Sequence, residues 1–137
     1  MRPATVYIYK NLSDIDQGIR SFLAIIKQQL VDEKVGIKIL FGEEKNTTHV
    51  NPKHLNCIKD FYKDPCYVEC NVLYKGSRTT ASSHIKVAQA HGFTNIPIKI
   101  LDGEDGMDYM AVPINQKHIK EAKLGKGLRE FANLISF

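Results

Sequence analysis

Lys75, Gly76, Ser77 and Arg78 stand together in a polar stretch. It follows the apolar pair Tyr67-Val68 and precedes a helical pattern running from Thr79 to Gly92. Glycine lets a backbone come close to a ligand, serine offers a hydroxyl, and arginine grips a carboxylate or phosphate with two parallel hydrogen bonds. The first N–H groups of the following helix would face the same anion. The spacing is not that of a P-loop, because GxxxxGK[ST] is absent. The structural alternative is a tight turn in which Arg78 pairs with Glu69 or Glu43 and fastens two loops.

A second polar loop, Gly42 to Thr48, follows the apolar run Val35 to Phe41. Glu43 comes directly after the glycine, where a carboxylate binds a metal or serves as a general base if desolvated. The alternative is a carboxylate neutralised by Lys38, Lys45 or Arg78. Lys38 lies inside the apolar run and needs a partner if it points inward, with Glu43 or Glu69 the natural choice. Asn46 and Asn71 supply amide contacts to a ligand or satisfy loop backbone groups. Asp102, in the turn-rich Asp102 to Gly106, is a lesser metal candidate, since the loop lacks EF-hand spacing. The five histidines form no HxH or HExxH pattern. His84 and His91 fall on nearly the same helical face and read as part-exposed surface. Ser77 and Ser82 have no assigned base, and no Ser-His-Asp or Cys-His arrangement can be argued.

Two such loops imply supporting strands. Val6 to Tyr9 reads as a first strand, and Ser13 or Asp14 caps a helix whose apolar residues Ile15, Ile19, Phe22, Leu23, Ile26 and Leu30 recur every three or four positions. Val35 to Phe41 reads as a buried parallel strand. Asn51-Pro52 starts another helix, ended by Pro65. Tyr67 to Val72 is the third strand, Thr79 or Thr80 opens the next helix with Gly92 as its C-cap, and Ile96 to Leu101 is a further strand. Tyr109 to Ile114 and His118 to Leu124 read as extended, Lys126 to Ala132 as a short helix, and Leu134 to Phe137 as the start of a strand. This alternation predicts a Rossmann-like, three-layer α/β domain with a mostly parallel sheet and helices on both faces. The loops after Phe41 and Val72 then share one sheet edge, the usual ligand position in open α/β sheets.

The 137 residues fit a single domain over 1–137, and the apolar ending at Leu134 to Phe137 suggests the N-terminal piece of a longer protein. A net charge of +4 is spread without like-charge runs, which makes nucleic-acid binding unlikely on composition. Cys57, Cys66 and Cys70 make an odd set without CxxC spacing, arguing against a disulfide framework and against zinc or iron–sulfur ligation within this chain. No apolar run approaches the ~18 to 20 residues that cross a bilayer, no secretory signal core is evident, and cytoplasm is the expected compartment.

Lys38-Ile39-Leu40-Phe41-Gly42-Glu43, with Asn46 and Asn51-Pro52, resembles the K-x-H-F-G-E…N…P pattern of the DUF362 family. Glu69 to Arg78 resembles that family's D-x-N-T-L-Y-x-G-x-R element, and the likeness runs on through His84, Ala88, Gly92-Phe93 and Ile100 to Gly103. It covers nearly the whole chain from about Tyr7. The family is uncharacterised as a class. Many members carry a ferredoxin-like insert with iron–sulfur cysteines and continue into an S-H-x-K-G-H segment, neither of which this chain contains. Leu40 stands where the family often has His, removing a metal ligand or proton carrier, and Glu69 stands where Asp is common.

The expected function is binding of a small anionic ligand at the strand-end loops by Lys38, Glu43, Asn46, Asn71, Lys75, Gly76, Ser77 and Arg78, with a divalent metal as a candidate companion. The resemblance implies the substrate domain of a redox iron–sulfur protein. The alternative is a non-catalytic binding or assembly module that forms a homodimer.

Overall fold

A computed structural model describes residues 5–31 and 34–137. Helix α1 (Ile15–Lys27) starts where Asp14 accepts the Gln17 N–H at 3.0 Å. Strand β1 (Val35–Lys38) follows, then a 3-10 turn at Pro52–Leu55, capped by Asn51 with Pro52 in its first turn, and the short helix α2 (Ile58–Phe61). Strand β2 (Pro65–Glu69), helix α3 (Ala81–Ala90) and strand β3 (Ile98–Ile100) complete the alternating part. Strands β4 (Tyr109–Pro113) and β5 (Glu121–Gly125) form an antiparallel hairpin. A 3-10 turn at Lys126–Glu130 leads into strand β6 (Asn133–Ser136).

The main sheet has the order β3-β2-β1-β6, and every pairing in it is parallel. The expected Rossmann-like α/β architecture is therefore present. Successive crossovers from β1 to β2 to β3 step in one direction, which puts α2 and α3 on one face. Leu23 of α1, Leu55, Ile58 and Ala88 join Val35, Ile37, Tyr67, Ile100 and Ile135 in one buried cluster there. Cover on the other face differs in kind. Cys66, Val68 and Leu101 pack against Leu128 and Phe131 from the 3-10 turn and its exit. Gly36 belongs to that second face, where a Cβ would stand 3.0 Å from Leu134 and 3.3 Å from the Phe131 ring. Phe41, Tyr67 and Phe93 meet edge-to-face at 5.0 to 6.2 Å, each contact contributing about 0.5–1.5 kcal/mol beyond its buried area.

Several expectations about elements need correction: the strand read over Val35 to Phe41 ends at Lys38, and the short helix read over Lys126 to Ala132 is a 3-10 turn at Lys126–Glu130. Val6 to Tyr9 forms no strand; Val6, Tyr7 and Ile8 are exposed, the Tyr9 ring packs against Gly18 of α1, and the segment has no sheet partner among the described residues. Strand β2 begins at Pro65, so this proline opens the strand, while α2 has already ended at Phe61. A proline suits a strand's first residue because the missing N–H falls outside the ladder. Residues 70–72 lie beyond β2, in the loop.

Candidate functional site

Parallel strands send all their carboxyl ends to one edge, so the loops after β1, β2 and β3 meet there. Side chains fasten them together. Arg78 is only 4% exposed and donates from Nε to Glu43 Oε1 at 2.9 Å and from Nη2 to the same oxygen. Its Nη2 also donates to the Tyr74 hydroxyl at 2.8 Å, and that hydroxyl donates to Glu43. Ser77 Oγ donates to Glu44 Oε2 at 2.6 Å. Asn71 N–H donates to the Asp102 carboxylate at 2.9 Å, and its Nδ2 donates to the Gly103 carbonyl at 2.8 Å. Lys38 Nζ donates to Glu69 Oε2 at 2.9 Å, one of the two partners expected for it, although its side chain is 40% exposed. Asn46 closes its own loop, accepting from Thr48 N at 2.9 Å.

The electrostatics follow from these bonds. Hydrogen bonds from Arg78 and then Tyr74 hold the Glu43 carboxyl below the usual carboxylate range. Burial works against the Arg78 charge, but Glu43 outweighs it and the guanidinium pKa rises. The hydrogen bond to Glu43 raises the Tyr74 phenol. Burial raises all three thiols, Cys57 and Cys66 being buried and Cys70 half-buried.

Two expected features of the site are absent. The start of α3 does not offer its N–H groups to an anion. Glu104, from the loop after β3, accepts Ser82 N at 3.1 Å and Ser82 Oγ at 2.6 Å, and Thr80 Oγ1 accepts Ser83 N at 3.3 Å. The chain's own carboxylate takes the place of the external one. Nor do Glu43 and Asp102 make a metal site: each carboxylate is engaged elsewhere, and the described residues contain no group of three His, Cys, Asp or Glu side chains able to hold an ion. The residues present do not fit a divalent metal at this edge.

His84 also differs from its reading as helix surface. It is fully buried, edge-on to Phe41 at 5.6 Å, and neither ring nitrogen has a partner. Desolvation, followed by the charge of Arg78, lowers its pKa to about 4. The inward face was readable from Val87 and Ala88, three and four residues on and also buried. Sequence reasoning missed Glu44 and Glu104 as partners and left Tyr74 without a role. Tyr74 lay inside the quoted motif, whereas the two acids carry no local signal, since they act across 33 and 22 residues of chain.

An α/β domain with its candidate site at the carboxyl ends of a parallel sheet is the class these observations define. The family model described as "Domain of unknown function (DUF362)" matches residues 35–137, and the chain belongs to that family. The match begins at Val35 instead of near Tyr7, so α1 lies outside it. Searches of the curated proteins and of the solved structures each found no match.

Proposed function

We propose that the domain binds a small anionic ligand at the carboxyl ends of β1 to β3. The observation that carries this reading is the convergence of three loops at that edge, with a cation left over. Lys75 enters none of the ion pairs among the described residues, and it stands beside Gly76 and Ser77 on the loop after β2. In this reading Lys75 makes first contact, while Ser77 with Glu44, and Arg78 with Glu43 and Tyr74, hold the loops that carry it. Lys38 with Glu69, Asn46 and Asn71 form the supporting frame. In longer relatives with clusters this edge would be the substrate side of a redox protein. The cysteine usage and the absence, among the described residues, of a helix able to cross a membrane accord with a place in the cytoplasm.

Isothermal calorimetry against phosphorylated metabolites and small carboxylates tests the reading. Lys75→Ala is the variant of choice because it leaves the Arg78 contacts intact. Loss of one charge-assisted contact corresponds to a roughly tenfold weaker Kd, about 1.4 kcal/mol. Unchanged affinity in Lys75→Ala, or no binding by the parent chain, removes the anion from this edge.

A second reading, the assembly module, draws on β6. This strand is an outer strand of the sheet, with Leu134 49% and Phe137 40% exposed beside it. An open strand edge with apolar neighbours invites pairing between copies. Sedimentation should then give a dimer mass that Leu134→Lys reduces to the monomer; a monomer for the parent chain ends this reading.

A further inference from the structure

A cleft borders the far end of the loop after β1. It has a volume of about 500 Å³ and runs between residues 47–56 and the turn from α3 into β3. Its charged and titratable lining is one-sided. Lys53, His49 and His91 border it, and no carboxylate does. The strand-end edge is the reverse, since Glu43, Glu44, Asp102 and Glu104 crowd its loops and take up the donors there. Lys53 has no ion-pair partner among the described residues.

The walls are held in place by bonds that leave ligand-facing groups available. His49 donates from Nδ1 to the Asn46 carbonyl at 3.2 Å, which leaves Nε2 an acceptor in the neutral ring. His91 stacks under it, with ring centroids 4.3 Å apart and planes within 7°, and is itself tied to the Phe41 carbonyl at 2.8 Å. Asn95 is fixed by the Tyr67 hydroxyl at 3.0 Å. The side chains of Asn56, Thr47 and Thr94, which also border the cleft, make no hydrogen bond to the described residues and can serve a ligand. Amides, hydroxyls and an imidazole acceptor suit hydroxyl groups, and a lysine ammonium with no carboxylate beside it suits an anionic group, a phosphate among them, as a point charge.

We infer that this cleft is a second binding site, for a small phosphate ester bearing hydroxyl groups, with Lys53 on the phosphate and His49, Asn56 and Thr94 on the hydroxyls. It shares the loop after β1 with the proposed strand-end site through Thr47, but none of residues 71–78 lines it. Backbone amide NMR distinguishes them, using ribose 5-phosphate, ribose and succinate as probes. Saturable shifts for residues 47–56 and 91–95 with ribose 5-phosphate, at least tenfold weaker with ribose or succinate and about tenfold weaker in Lys53→Gln, are the expected result. Shifts confined to residues 71–78 would place the ester at the strand ends and overturn the cleft site. An equal response to succinate would overturn the phosphate assignment, and no saturable shift up to about 10 mM would overturn the site altogether.

Discussion

Taking the pH from about 7.5 to about 4.5 weakens the fold by about 2–3 kcal/mol through His84 alone, the free-energy equivalent of its lowered pKa. The sign follows from proton binding. In the unfolded chain the imidazole titrates near its ordinary value of 6.5, whereas the folded protein holds it to about 4. Between those values the unfolded state binds the extra proton, so stability is complete above the upper value. It falls as pH drops and levels off once both states are protonated. Lowered carboxyl pKa values at Glu43, Glu104 and Glu130 add losses at the acid end of this window, so the comparison with a variant is decisive. His84→Leu should be more stable at neutral pH by about 1–2 kcal/mol, because two buried nitrogens without partners are removed. It should also lose most of the decline between pH 7.5 and 5. Urea unfolding at a series of pH values measures both. A parallel decline in parent and variant would show that His84 is solvated or bonded in solution.

Glu43→Ala should destabilise the domain by about 2 kcal/mol and Arg78→Met by about half as much, although each deletes the same ion pair. The asymmetry comes from burial. The Arg78 side chain is 5% exposed and that of Glu43 is 43% exposed. Without Glu43, a guanidinium stays desolvated with Tyr74 as its remaining partner. Without Arg78, Glu43 turns to water, and methionine fills the space of the arginine stem. The exposure of Glu43 also keeps its cost below the ~3–5 kcal/mol of a fully buried pair. Chemical denaturation of both single variants and the double variant gives the coupling energy. Equal costs, or a Glu43→Ala effect under about 0.5 kcal/mol, would mean that the loops are not held by this contact.

The parallel α/β pattern was legible because its signals are local. The apolar period of α1, the Asn51-Pro52 start and the strand at Val35 depend on neighbours in sequence, and each appears where those neighbours direct it. The Lys38–Glu69 pair was one of the two offered for Lys38, with Glu43 the other, although the lysine side chain lies 40% exposed instead of inward. Val6 to Tyr9 was misleading. Strand propensity describes fitness for a pleated surface, and no described strand pairs with this segment. At the candidate site, the Arg78–Glu43 pair was one of the alternatives left open by the sequence, whereas the bonds from Ser77 to Glu44 and from Ser82 to Glu104 were not foreseen. Whether Arg78 faces a ligand or Glu43 depends on how two loops about 35 residues apart come together, and Glu104 reaches α3 from a third loop. Tertiary geometry alone settles such matches, and periodicity is silent about them.

The place of β6 beside β1 bears on how the protein acquires its fold. A strand near residue 135 completes the pairing of one near residue 36, so about a hundred residues of chain must be gathered before that ladder can close. Closing so long a loop has an entropic cost that is met before any contact rewards it, and such topologies fold slowly. During synthesis, β1 leaves the ribosome well before its neighbour on that side exists. Until β6 arrives, the 132 residues before it carry an open sheet edge at β1. Chaperone capture or off-pathway aggregation would act on that interval.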